Sequence, residues 1–397
     1  MAIISRKRNI LILQSGGPTP VINRSLFGLV DEAMKHSDFD KILGSRHGIE
    51  GMLKKNFLDL GNQENSTWRK VSETPGSALG STRKKLNSEE IPAILEILSS
   101  ENIRYCFIIG GNDSAETGLR ISSETKNSGY ELSVICIPKT IDNDLVNMDH
   151  TPGYGSASRF VALATAGIGR DVESMGKHAP IAILEVMGRD SGWLAAASAL
   201  SRRDEQDPPH IICIPEKPIE ESGFLNAVEN SYASYGFAVA VVAENIQSKH
   251  GVMGDQQKPW YVDDFGHKYF DGPGRYLSGL VSQKLKVRAR YEKPGTIQRS
   301  MIDTVSLSDA QEAEMAGRSA ISYALEGLSE VMVTLERNPG DKYQCTTSVT
   351  PLEKVAGKVK YLPGSYMNDR YQVTNEFLKY AAPLIGEPIP TFGRLDK

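Results

Sequence analysis

Ile10-Leu11-Ile12-Leu13-Gln14, then Ser15-Gly16-Gly17-Pro18-Thr19-Pro20, then the run 20–35 set the reading of the whole chain. Four successive aliphatic residues without alternation describe a strand buried on both faces. The paired glycines end it. In 20–35 the apolar residues Ile22, Leu26, Leu29, Val30 and Ala33 return at helical spacing. Outward from this strand–turn–helix unit the same alternation continues. Strands are expected at 104–109, 133–137, 179–186, 210–214, 237–243 and 330–335. Helices are expected at 88–100, 114–127, 156–175, 191–203, 219–234, 274–287 and 309–327. Asp190 and Ser308 stand where N-caps belong, and Pro273 suits a first helical turn. Apolar strands separated by helices imply an α/β fold with mostly parallel sheets covered on both faces. Residues 338–372, rich in Gly, Lys, Thr and Pro, read as an irregular insertion.

A chain of 397 residues is too long for one ordinary core, so two domains are expected. The net charge of −4 is dispersed, with no basic face for nucleic acid. Apolar runs such as 237–243 are far too short to cross a bilayer, so no membrane partner is expected. Arg6, Lys7 and Arg8 precede Ile10–Leu13 as in a signal peptide, but the apolar run stops at Gln14. The four cysteines (Cys106, Cys136, Cys213, Cys345) lack metal-site spacing and fit reduced thiols in a cytoplasmic protein.

In open α/β sheets, ligands gather beyond the carboxyl ends of the strands, so the loops there carry the chemistry. Gly16-Gly17 before a helix suits either a plain turn or a phosphate cradle, where free N–H groups and the helix dipole meet an anion. Gly110-Gly111-Asn112-Asp113 repeats the device with a carboxylate that suits a helix cap or a Mg²⁺ ligand. The third loop, Pro138-Lys139-Thr140-Ile141-Asp142-Asn143-Asp144, holds more charge than a turn needs. Together, two glycine pairs, one lysine and three carboxylates make a consistent site for magnesium-bound polyphosphate. Residues 75–83, PGSALGSTR, read as a flexible loop presenting Arg83 to a phosphate in transfer. Met187-Gly188-Arg189 follow the strand at 179–186.

GGPTPVIN, PGSALGSTR, GGND, PKTIDND, EVMGR, IPE and PGTIQR occur here in the order found in the phosphofructokinase family, which this chain resembles over roughly 9–335. The resemblance implies two Rossmann-like three-layer domains with the active site in the cleft between them. It implies phosphoryl transfer to O1 of fructose 6-phosphate, with Mg²⁺. By position, Asp142 resembles the general base, with Thr140 and Asp144 beside it holding substrate and magnesium. Arg83 resembles the arginine that stabilises the migrating phosphoryl group, and Met187, Gly188, Arg189 and Glu216 resemble sugar-phosphate contacts. Arg290 and Arg299 resemble ligands of the 6-phosphate. The implied domains are 1–153 plus about 298–345 for the phosphoryl donor, and 154–297 plus about 346–397 for the sugar phosphate.

Where ATP-using members carry glycine, this chain has Asp113 and Lys139, as the pyrophosphate-using members do. The Asp113 side chain would occupy and repel the space of a nucleotide α-phosphate, while Lys139 adds a cation for a bare diphosphate. The expected donor is therefore pyrophosphate, bound by Gly16, Gly17, Gly111, Asp113 and Lys139, with Asp113, Asp142 and Asp144 on the metal. Asn112 stands where many members have a metal-binding aspartate, Pro180 where bacterial ATP enzymes place an arginine, and Thr296 where histidine or tyrosine is usual. A homodimer or homotetramer is expected. The alternatives are an ATP-dependent kinase, or a non-catalytic regulatory subunit, against which Asp142, Thr140 and Arg83 argue. A dinucleotide-binding dehydrogenase is weaker, because Gly153-Tyr154-Gly155-Ser156 follows a polar loop rather than a strand.

Overall fold

The computed structural model describes residues 8–254, 259, 261–262, 268–269 and 272–395. The chain divides into two units. The first comprises Met1–Ile141, Leu145–Tyr154 and Arg299–Val359, and the second Asp142–Asp144, Gly155–Gln298 and Lys360–Lys397.

The first unit is built on a seven-stranded sheet in the order Cys345–Pro351, Val331–Arg337, Ser133–Pro138, Ile103–Gly110, Arg8–Gln14, Phe39–Ser45, Phe57–Asp59. The five inner strands are parallel and the two outermost are antiparallel to their neighbours. Alternate residues of each inner strand serve opposite faces. Ile10, Ile12, Phe107, Ile109, Ile135 and Ile137 pack beneath helices Ile22–Ala33 and Leu307–Leu325. Leu11, Leu13, Cys106, Ile108, Val134 and Cys136 pack with residues of Ile91–Ser100 and Asn112–Asn127. This gives three layers, as apolar strands require. Helices Ile22–Ala33 and Leu307–Leu325 meet backbone to backbone. A β-carbon on Gly28 would lie 2.2 Å from the Glu314 carbonyl oxygen, and one on Gly317 2.1 Å from that of Ser25.

The second unit carries a four-stranded parallel sheet, ordered Ala289–Glu292, Ile181–Val186, Ala238–Ala243, Ile211–Cys213. Ile181–Val186 and Ala238–Ala243 are buried at every residue. Helices Tyr154–Met175, Glu221–Tyr235 and Pro273–Leu285 belong to this unit, with Pro273 in the first turn as its fixed φ allows.

Several expectations are corrected. Residues 338–372 are not wholly irregular, because Cys345–Pro351 is a strand paired along all of Val331–Arg337. That pairing also draws 346–359 into the first unit rather than the second. Ser306, not Ser308, caps Leu307–Leu325, its hydroxyl accepting from the Asp309 N–H. The helix expected at 191 starts at Trp193 with Gly192 at the cap, and Asp190 instead accepts from the Asn245 amide. No helix among the described residues is long and apolar enough to cross a membrane. Cys106, Cys136 and Cys213 are buried free thiols, and burial pushes each well above the usual thiol range.

Candidate active site

In the first unit, three neighbouring parallel strands end in the three loops singled out above. The middle strand, Ile103–Gly110, delivers Gly111 as the N-cap of helix Asn112–Asn127 and Asp113 into its exposed first turn. Asp113 is therefore not the cap. Lys139 follows Ser133–Pro138, its backbone N–H donating to Gly110 O at 3.0 Å. Its side chain is nearly buried, and Nζ donates to Gly17 O at 2.6 Å. A β-carbon on Gly16 would meet this Nζ at 3.1 Å, and one on Gly17 would meet Arg299 Nη1 at 2.4 Å. Two cations thus converge on the first glycine loop. Lys139 was expected there. Arg299, expected on the 6-phosphate, lies in the first unit against Gly17.

The segment 75–83 is fastened, contrary to its reading as a flexible loop. Gln14 Oε1 accepts from Leu79 N–H at 2.9 Å, and Asn23 Oδ1 accepts from Ala78 N–H at 3.0 Å. The Asn23 amide donates to the carbonyls of Thr74 and Gly76, both at 2.8 Å, and Gln14 donates to Asn23. Gly16 N–H donates to Thr82 O at 3.0 Å, and Ser81 Oγ donates to Gly16 O. Arg83 is exposed where this strapped segment ends. Gln14 and Asn23, both fully buried, are supports of this segment that the sequence reading passed over. Their only signal is two amides among apolar residues at a strand end and on a helix face.

Asn112 is tied to the segment 357–358. Its Oδ1 accepts from Gly357 N–H at 2.6 Å, and its amide donates to Lys358 O. Thr140 rests on the segment 151–153: its N–H donates to Pro152 O at 3.3 Å, and its carbonyl accepts from Thr151 Oγ1 at 2.9 Å.

The second unit assembles the other group. Asp142 and Asp144 flank Asn143, which adopts a left-handed backbone with φ of 56°. The Asn143 side chain donates to Tyr380 Oη at 2.9 Å and accepts from Lys360 Nζ at 3.3 Å. These bonds hold an otherwise costly turn. Asp142 Oδ2 lies 3.8 Å from Arg189 Nε, and Ser191 Oγ donates to the carbonyls of Asp142 and Gly188. Gly188 has φ of 141°, and Arg189 has φ of 51° with its N–H donating to Glu244 at 2.9 Å. Met187 N–H donates to Gln298 Oε1 at 3.1 Å. Glu216 Oε1 accepts from Gly192 N–H at 3.0 Å and Leu362 N–H at 2.7 Å, while its buried Oε2 has no protein partner. Burial raises the Glu216 pKa against the pull of those two donors.

Arg290 is not with this group. It lies on edge strand Ala289–Glu292 opposite Ala182, near the start of the strand whose far end leads to Met187, and it pairs with Asp171. Carboxylate oxygens, such as those of Asp142 and Asp144, are the hard donors that Mg²⁺ takes.

The family model for phosphofructokinase matches residues 9–324. The pyrophosphate–fructose 6-phosphate 1-phosphotransferase of Rhodospirillum rubrum is 38% identical over 396 residues, covering 98% of this chain and 97% of its own. The enzyme of the same name from Xanthomonas campestris is 36% identical over 389 residues, with 96% and 92% covered. The solved structure of a pyrophosphate-dependent phosphofructokinase from Nitrosospira multiformis is similar, with a TM-score of 0.89, 31% identity and 98% and 94% of the two chains covered. The family model and these full-length likenesses agree: the chain belongs to the phosphofructokinase family.

Proposed function

We propose that the protein transfers a phosphoryl group from pyrophosphate to O1 of fructose 6-phosphate, giving fructose 1,6-bisphosphate and phosphate. The observation that carries the donor assignment is Lys139, nearly buried and hydrogen-bonded to the Gly17 carbonyl of the glycine loop. An ammonium held there neutralises a compact, highly charged donor, and Asp113 in the adjacent helix turn repels a nucleotide α-phosphate. The names of the two relatives favour the same reading.

Phosphoryl transfer is chiefly positioning and charge neutralisation. Gly16, Gly17 and Gly111 offer backbone N–H groups to the diphosphate, with Lys139 as cation. Arg83 meets the charge of the migrating group. Asp142 takes the proton of the sugar 1-hydroxyl, and Thr140 orients that hydroxyl. Met187, Gly188, Arg189 and Glu216 hold the sugar phosphate, the unpartnered Glu216 Oε2 being available to a hydroxyl. Asp113, Asp142 and Asp144 would hold Mg²⁺, which when bound screens the phosphate oxygens. Arg299, placed at Gly17, serves the transferred phosphoryl group as well as the sugar phosphate. Arg290, remote from Met187 within its own unit, serves a neighbouring subunit of a homodimer or homotetramer. The reaction is reversible and belongs to glycolysis and gluconeogenesis in the cytoplasm.

The test is fructose 1,6-bisphosphate formation by the purified chain with Mg²⁺ and, separately, pyrophosphate, ATP and polyphosphate. Turnover with pyrophosphate at the highest kcat/KM is expected. A preference for ATP overturns the donor assignment, and no turnover with any donor overturns the enzyme reading.

A further inference from the structure

A charged cluster lies in the first unit beside the loop that bears Thr140, and the function above does not use it. His150 is 1% exposed. Its Nδ1 is 2.8 Å from Asp149 Oδ1 and its Nε2 2.7 Å from Glu312 Oε2. Both ring nitrogens face carboxylates, so the ring bonds both only as the imidazolium. Asp149 also receives Arg337, with Nε 3.2 Å from Oδ2 and Nη2 3.1 Å from Oδ1. Tyr343 Oη donates to Glu312 Oε1 and stacks beneath the Arg337 guanidinium at 4.8 Å. Cys345 Sγ approaches the same group. Among the described residues, His150 and Arg337 with Asp149 and Glu312 form a charge network.

The network anchors one end of a five-residue segment. Asp149 N–H donates to Leu335 O at 2.9 Å, and His150 bridges to Leu335 on the inner strand Val331–Arg337. Gly153 N–H at the other end donates to Asp309 Oδ1 at 2.7 Å. Asp309 and Glu312 both project from the first turns of helix Leu307–Leu325, so one helix grips the segment twice. Between the grips lie the Thr151 hydroxyl and Pro152 carbonyl that hold the Thr140 backbone, and Thr140 itself bridges to Gly153.

We propose that His150 is a positioning residue for Thr140: clamped between Asp149 and Glu312, it holds residues 149–153 where they carry the Thr140 backbone. The functional consequence rests on the phosphotransferase reading, whereas the mechanical one does not. Burial alone would lower the His150 pKa, but hydrogen bonds to Asp149 and Glu312, with their charges, hold it up at about 9. The clamp is therefore complete below the ordinary histidine value and is lost as pH rises through about 9. Facing the ring from the packed elements are Asp149, Arg337, Glu312, Tyr343 and Cys345.

The experiment compares wild type with His150→Gln, His150→Leu and Glu312→Gln. It reads amide hydrogen exchange at Thr140 and Gly153 alongside kcat and KM with pyrophosphate across pH 6–10. Exchange at those two amides should accelerate at least about tenfold while amides of Arg8–Gln14 keep their protection. The kcat should fall by up to about 10²-fold, the cost of a small misplacement, with KM nearly unchanged. The decline of wild-type kcat near pH 9 should be absent in His150→Gln. Folded variants with wild-type exchange at Thr140 and Gly153 overturn the proposal. Acceleration spread over the whole sheet does so too, since it marks a merely structural role. If His150→Leu does not fold, His150→Gln and Glu312→Gln decide. If wild type lacks turnover, the functional reading fails while exchange still judges the clamp.

Discussion

Gly16 and Gly17 are adjacent, yet replacing each with alanine should fail in different ways. Gly16 has φ of +78°, in the left-handed region. An alanine there costs about 1–2 kcal/mol of backbone strain. Its β-carbon would also press Lys139 Nζ at 3.1 Å. Gly17 has no positive φ. Its β-carbon meets only the far end of a side chain, Arg299 Nη1, at 2.4 Å where ordinary contact begins at 3.4 Å. The guanidinium can retreat, so the fold is spared. That retreat is about 1 Å, and 1 Å at a group proposed to meet the migrating charge would cost up to about 10²-fold in rate. Gly17→Ala should therefore lower kcat/KM for pyrophosphate by 10-fold to about 10²-fold with Tm unchanged. Gly16→Ala should lower Tm by about 1–3 °C. The assay couples fructose 1,6-bisphosphate formation to a chromogenic reaction, with a thermal melt of each variant beside wild type. If Gly17→Ala retains wild-type kinetics, Arg299 does not act at the glycine loop. A Tm loss at Gly17 equal to that at Gly16 would show that the backbone, not the guanidinium, sets the demand for glycine.

Asp142→Asn keeps the shape but cannot take the proton, so kcat should fall by about 10²–10⁴-fold with sugar-phosphate affinity little changed, measured by steady-state kinetics and equilibrium binding. Asp113→Gly should raise kcat/KM for ATP and lower it for pyrophosphate. Adding Lys139→Gly should shift the ratio further and non-additively, because both residues contact one donor; an unchanged ratio in the single mutant refutes the exclusion. His210, whose Nδ1 accepts from Val239 N–H at 3.0 Å, is held by burial down at about 4 from 6.5. A histidine kept neutral by the fold supplies stability that is full above 6.5 and lost as pH falls through about 4, here at most about 3 kcal/mol. Acid-induced unfolding of His210→Gln should lack that part of the decline.

Four of the inner strands were legible because each holds an unbroken apolar run, and the three loops because charge and glycine crowd their ends; the inner strand Phe39–Ser45, with Asp40 and Lys41 exposed, was not. Edge strands were not. Ala289–Glu292 is half-buried at every residue and offers neither an apolar run nor alternation. Cys345–Pro351 does alternate in burial, but through Thr and Ser, which read as loop. Glycine pairs, Lys139 and the two aspartates announced the candidate site by type and spacing. Its supports did not: His150 and Glu312 are 162 positions apart, and a local pattern holds no trace of such a pair. Asn112 reads in sequence only as the replacement of a metal-binding aspartate, because its partners, Gly357 and Lys358, are equally remote in sequence.

The discontinuity of the first sheet has a consequence for how the protein is made. Ser133–Pro138 receives its second neighbour only when Val331 and Met332 arrive to pair with Ile135 and Cys136. At ordinary elongation rates of ~5–20 residues/s, that interval is roughly 10–40 s. Throughout it, an apolar central strand stands as an open edge, able to pair with another nascent chain. The uninterrupted stretch Gly155–Gln298 emerges during the wait and holds all four strands of its own sheet. It can fold first. Long-range pairing then makes closure of the N-terminal sheet the slow step. Aggregation during synthesis should therefore respond to translation speed between 139 and 330 more than anywhere else in the message.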